Sequence, residues 1–232
     1  MRVLVVAPSW IGDTLLAQPL FARLRHQQND ISIDALAPPW TAPVLRRMPE
    51  IAKVIEAPFN HGDMRFLDRW RMARTLATGA YDRAFVLPNS FKSALIPFFA
   101  GIPERIGFIG EQRYGVLTTR HRLDEAALPL MAERYAKLAE AIDAMPAKPL
   151  ARTTIHVDET NRARALRELG LNLDQPVVAF CPGAEFGPAK RWPVRHFIAL
   201  SRALAWVEET LPLAAVAVLV SEPASRSAWV MM

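Results

Sequence analysis

The stretch Phe180-Cys-Pro-Gly-Ala-Glu-Phe-Gly-Pro-Ala-Lys-Arg-Trp-Pro193 decides how this chain folds. It follows the apolar run Pro176-Val-Val-Ala-Phe180, which reads as a buried strand, and precedes residues 194–205, whose apolar positions recur at helical spacing. The order is strand, glycine-bearing loop, helix. Gly183 and Gly187 can take backbone angles closed to other residues, so the loop, with Ala184 between them, can bring its N–H groups close to a ligand. Pro193 suits a first helical position, and the free N–H groups beyond it form an anion site. Lys190 stands just before that helix, where its ammonium acts as a point charge on a phosphate. Gly183, Ala184, Gly187 and Lys190 are therefore assigned to a diphosphate cradle. The plainer alternative makes Lys190-Arg191 a solvated pair in an ordinary loop.

Outward from this stretch, the composition is that of a globular protein with a core: 51% of the 232 residues are hydrophobic and 22% charged. One large domain or two small ones fit that length. A net charge of +5 and a pI of about 9.8 point to anionic partners. The basic residues are scattered and no nucleic-acid module appears, so nucleic-acid binding is not expected. Cys181 is the only cysteine, which excludes an internal disulfide and fits a reducing compartment. The first apolar run is too short for a signal peptide, and no stretch reaches the roughly 18 apolar residues of a membrane span. The chain is accordingly expected in the cytoplasm, touching a membrane surface at most through its charge.

Taken in order, residues 2–7 read as a strand covered on both faces, residues 11–26 as one helix, 31–37 as a strand, 40–48 as a short helix and 51–56 as a third strand. Residues 64–78 form a basic amphipathic helix, 82–87 a fourth strand, 90–100 a helix and 105–109 a fifth strand. Residues 126–145 read as a long helix, 146–149 as a linker, 153–157 as a short strand and 158–169 as a helix. Strands alternating with helices predict an α/β fold with doubly wound parallel sheets, ligands lying beyond the carboxyl ends of the strands. Two Rossmann-like domains are expected, residues 1–149 and an incomplete 150–232.

The first βα loop, Pro8-Ser-Trp-Ile-Gly-Asp13, lacks the Gly-x-Gly-x-x-Gly pattern, which argues against a dehydrogenase. It instead delivers one carboxylate, Asp13, beside Gly12. On position alone Asp13 is equally a first-turn acidic residue that suits the helix dipole. Asn89, Ser90 and Lys92 follow the fourth strand and are expected to face the same cleft, although Ser90 serves as well as a helix cap. The histidines lack metal-ligand spacing and no Asp-x-Asp pair occurs, so no metal or other cofactor is expected.

These two loops, with Leu87-Pro-Asn-Ser-Phe-Lys-Ser-Ala-Leu95 completing the second, and the 180–193 stretch resemble the ADP-heptose:lipopolysaccharide heptosyltransferase family, closest to its type II branch. The resemblance covers residues 1 to about 205. It implies a GT-B-type fold of two Rossmann-like domains and an inverting, metal-independent glycosyltransferase. The donor implied is ADP-heptose and the acceptor a heptosyl-Kdo2-lipid A inner core. Asp13 matches the family's catalytic base. Gly12, Asn89, Ser90 and Lys92 become acceptor-binding residues, with Arg65, Arg69, Arg71, Arg74 and residues 105–122 steering an anionic acceptor unless they are merely solvated. Beyond residue 205 the family pattern stops, and the tail to Met232 is expected to be out of frame or truncated, apart from one further strand in residues 213–220. The alternative function is then an inactive fragment that retains anionic glycolipid binding.

Overall fold

The apolar run at the amino terminus becomes β1 (Arg2–Val6), whose alternate side chains are buried on opposite faces of a sheet. The elements that follow in the first part of the chain are α1 (Ile11–Leu16), α2 (Gln18–Gln27), β2 (Ser32–Ala37), α3 (Ala42–Leu45), β3 (Ile51–Glu56), α4 (Phe66–Ala77), β4 (Arg83–Val86), α5 (Phe91–Phe99), β5 (Glu104–Phe108), β6 (Thr119–His121) and α6 (Met131–Lys137). α7 (Glu159–Leu169), β7 (Val178–Phe180), α8 (Val194–Glu208) and β8 (Val216–Val218) follow among the described residues. The computed structural model describes residues 1–57, 65–172, 178–180, 182, 188–208 and 216–218. It forms two compact units, Met1–Val157 and Asp158–Met232.

In the first unit all six strands are parallel, in the order β3-β2-β1-β4-β5-β6. The alternation along β1 sorts the core into two layers. Val3, Val5 and Ala7 pack with Leu20, Phe21 and Leu24 of α2, Leu45 of α3 and Tyr135 of α6. Leu4 and Val6 pack on the other face with Ala73 and Leu76 of α4 and Ala94, Leu95 and Ile96 of α5. Helices on both faces of a parallel sheet make the expected doubly wound fold. Asp34 of β2, a carboxylate buried in this apolar frame, is held by the Tyr81 hydroxyl at 2.7 Å and by Arg2 Nη2 at 3.0 Å. Burial, and then the hydrogen bond to Asp34, push the Tyr81 phenol well above its ordinary value.

Three expectations are corrected. The helix expected over residues 11–26 is broken at Ala17, because Pro19 cannot donate an N–H to the preceding turn and opens α2 instead. The long helix expected over 126–145 is reduced to α6. Pro129 disfavours helical angles at Leu128, Glu133 accepts from Leu130 N–H at the new start, and Lys137 Nζ donates to the carbonyls of Ala141 at 2.7 Å and Ile142 at 2.6 Å, wrapping the chain around its own side chain. Residues 153–157 form no strand. The buried Gln18 amide takes the place of a partner strand, accepting from Thr154 N–H at 2.8 Å and donating to Thr154 C=O at 2.6 Å. His156 N–H donates to Arg47 C=O at 2.7 Å, so this segment packs on the first unit.

In the second unit, Asp158 caps α7 by accepting from Asn161 N–H at 3.0 Å, and Gly170 ends it at a φ of 61°. β7 and β8 pair in parallel, with α8 between them in sequence, so strand, helix and further strand fall where the sequence places them, while residues 181 and 183–187 lie outside the described residues. Phe180 is buried and meets the Phe197 ring edge-on at 5.7 Å.

β6, a three-residue edge strand, carries His121, which is 1% exposed and whose two ring nitrogens have no hydrogen-bond partner among the described residues. Burial, followed by the nearby Lys137 charge, lowers its pKa to about 4. The unfolded chain takes up this proton near pH 6.5 and the folded chain only near pH 4, so stability is lost as pH falls through that window. We expect the unfolding free energy of the native protein, relative to a His121→Leu variant, to be level above about pH 7 and to drop by about 2 kcal/mol by pH 5. Urea midpoints across the pH range check this.

Candidate functional site

In this strand order the chain crosses over in opposite directions from β1 and from β4, so the loops that leave the paired carboxyl ends of those two strands diverge. A cleft of about 450 Å³ opens there, entirely within the first unit. Its walls come from the loops after β1, β2 and β4, from the region beyond β5, and from α4 and α6.

The first loop is held by side chains that bond to its backbone carbonyls. Thr14 Oγ1 donates to Trp10 C=O at 2.8 Å, and Trp40 Nε1 donates to Ser9 C=O at 2.7 Å. These bonds present Asp13, partly exposed in the first turn of α1, to the cleft. Gly12 beside it is exposed, and a Cβ there would meet nothing within 4 Å, so packing does not demand glycine at this position.

The second loop is organised by Arg113, a side chain 1% exposed. Its Nη1 donates to Pro88 C=O at 2.7 Å, and its Nη2 donates to Asn89 Oδ1 at 3.3 Å and to Phe108 C=O. One guanidinium thus ties the ends of β4 and β5 together, and burial lowers its pKa to about 10, with Glu111 opposing the shift. Gly110 lets the β5 loop approach, since a Cβ there would stand 3.1 Å from Asn89 C=O. Ser90 occupies the N-cap of α5 but makes no side-chain cap bond. Glu111 from the neighbouring loop accepts from Phe91 N–H at 2.8 Å instead. Ser93 Oγ donates to Ser90 C=O at 2.6 Å and to Pro88 C=O at 3.1 Å, a structural role. Asn89, Ser90 and Lys92 all line the cleft, so the structure brings them together with Asp13.

Sequence reasoning treated the α4 arginines as one exposed set, but Arg69 is 5% exposed, lines the cleft, and donates to Lys92 C=O at 3.3 Å. It also missed Tyr135 and Arg134 of α6. Burial, and then the Asp13 carboxylate, push the Tyr135 phenol well up, which places the two groups in each other's field. Arg134 Nε donates to Leu128 C=O at 2.9 Å. Hiding α6 inside an overlong helix concealed both residues. The cleft therefore holds three cations, Arg69, Lys92 and Arg134, against the carboxylates of Asp13 and Glu111, a balance suited to an anionic ligand.

Lys190 belongs to the second unit, exposed at the end of a 3-10 turn, Pro188–Lys190, just before α8. Trp192 stacks on His196 at 5.3 Å beside it. Gly183, Ala184 and Gly187 lie outside the described residues. Among the described residues no cluster of three potential metal ligands occurs and no helix is long and apolar enough to cross a membrane.

The sequence pattern described as "Glycosyltransferase family 9 (heptosyltransferase)" matches residues 69–211. The chain is 45% identical over 209 residues to lipopolysaccharide heptosyltransferase 2 of Salmonella typhimurium, covering 88% of this chain and 60% of that protein. It is 44% identical over 210 residues to lipopolysaccharide heptosyltransferase 2 of Escherichia coli, with the same coverage. The solved structure of E. coli ADP-heptose lps heptosyltransferase II superposes with a TM-score of 0.82 at 40% identity, covering 95% of this chain and 64% of that one. The chain thus spans about 60% of the length of the curated relatives it matches. These likenesses agree with the fold expected from the loops.

If Arg113 is what joins the two strand ends, an Arg113→Met variant leaves three acceptors without their donor and loses about 3 kcal/mol of stability. Arg113→Lys, with a single ammonium, is expected to retain part of it. Urea unfolding of the two variants measures the difference.

Proposed function

Because the chain belongs to glycosyltransferase family 9 (heptosyltransferase), we propose that it serves the transfer of L-glycero-D-manno-heptose from ADP-heptose to a heptosyl-Kdo2-lipid A inner core. The observation that carries this reading is Asp13 facing a cation-lined cleft at the point where the strand order reverses. The first unit binds the anionic acceptor through Gly12, Asn89, Ser90 and Lys92, joined by Arg69 and Arg134. The second unit binds the donor.

Asp13 takes the proton from the acceptor hydroxyl as that oxygen attacks the anomeric carbon from the face opposite the diphosphate. A new carbon–oxygen bond forms, the bond to the diphosphate breaks, and ADP leaves with the bonding electrons and an inverted centre behind it. A single base suffices, unlike the carboxyl pair of a glycosidase, because a diphosphate departs without being protonated. Lys190 and the loop holding Gly183, Ala184 and Gly187 stabilise the charge gathering on the departing group, a task that requires no metal. The protein works in the cytoplasm, at the inner face of the membrane that holds its acceptor.

Incubation of the protein with ADP-heptose and the core acceptor, with products read by mass spectrometry, tests the proposal. We expect heptose addition, a loss of about a thousandfold in Asp13→Asn, and a loss of about a hundredfold in Lys190→Ala. Undiminished transfer by Asp13→Asn sinks the assignment of the base, while acceptor binding without transfer supports the binding-fragment alternative.

A further inference from the structure

We propose that the outer face of α4 is a membrane-docking surface that seats the protein on an anionic lipid bilayer. It rests on the membrane-surface location proposed above and not on the transfer chemistry. The helix is split lengthwise. Arg69, Ala73 and Leu76 form its buried stripe, while Phe66 at 51% exposure, Leu67 at 70% and Trp70 at 45% leave large apolar side chains in water. Spacings of four residues line up Phe66, Trp70 and Arg74 along the helix, with Leu67 and Arg71 beside them.

Cations frame these apolar groups. The Arg74 guanidinium lies 5.0 Å from the centre of the Trp70 ring. Arg65 and Arg71 share a single carboxylate, Asp68, at 2.8 and 3.2 Å. Three exposed arginines, Arg65, Arg71 and Arg74, against one aspartate, in a chain of net charge +5, complement a negatively charged surface. An aromatic and leucine ridge flanked by arginines is the pattern of a helix lying in the headgroup layer, where Trp sits at the boundary and Arg stems reach the phosphates. The opposite face of the same helix supplies Arg69 to the cleft. A lipid-anchored acceptor therefore keeps its acyl chains in the bilayer while its headgroup reaches the site, with α4 in contact with both. That continuity favours lipid over protein or RNA as the occupant.

Co-sedimentation of the whole protein with vesicles of phosphatidylglycerol and phosphatidylethanolamine, free of acceptor and of ADP-heptose, tests this. We expect binding that weakens with salt and is absent on neutral phosphatidylcholine. Arg71→Glu with Arg74→Glu should lower partitioning by about tenfold to thirtyfold. Leu67→Ser with Trp70→Ser should lower it while leaving the salt dependence in place. Arg164→Glu, on the exposed α7, is the control for diffuse charge. No vesicle binding, an Arg164→Glu loss equal to that of the α4 pair, or α4-dependent binding to an RNA oligonucleotide in place of vesicles overturns the proposal. Loss of heptose transfer with vesicle binding intact leaves it standing.

Discussion

The first unit depends on β1 being buried on both faces while lying where the strand order turns back. Its side chains from Val3 to Val6 must each find an apolar partner above or below, which forces helices onto both faces. Because the crossovers from β1 to β2 and from β4 to β5 run in opposite directions, no connection covers the carboxyl ends between β1 and β4. The cleft is a consequence of that packing rule. The charged groups of the cleft stand on the loops and on the helix ends around this uncovered point.

Loops so placed need fixing. On the β1 side Thr14 bonds to a carbonyl one turn back and Trp40 reaches Ser9 from the loop after β2. On the β4 side the reach is also long. Arg113, more than twenty residues on in sequence, reaches back to Pro88 and Asn89, and Glu111 caps α5. The segments that carry Asp13 and Lys92 are therefore pinned by hydrogen bonds from neighbouring loops, as pre-organised sites require. Glu111 and Gln112 themselves adopt φ values of 40° and 55°, in the left-handed region disfavoured for side chains with a Cβ. The chain accepts that strain at the turn that delivers both anchors.

The cleft and α4 also share residues in a way that links ligand and surface. One stripe of α4 supplies Arg69 to the cleft wall and the other carries Phe66, Leu67 and Trp70 outward. Arginine serves both purposes, since its apolar stem packs while its planar head pairs with oxygen. The basic balance of the chain thus resolves into cations inside the cleft, cations on an exposed helix and cations such as Arg113 spent on structure.

Most of the order of local elements and the placing of Asp13 just after β1 were readable from the amino-acid sequence, because apolar periodicity acts over a few neighbours, whereas the three-residue β6 carries no such pattern. Pro19 and Pro129 break helices by the same local logic, although the apolar pattern runs on past both. What only the tertiary structure decided is distance-dependent. It decided that Gln18 clasps Thr154 in place of a strand partner, that Tyr135 and Arg134 join Asp13 across the cleft, and that Arg69 is buried while Arg71 and Arg74 are not. Those outcomes depend on which surfaces meet when the sheet is covered, and a side chain's burial and partners are properties of that meeting, not of its place in the chain.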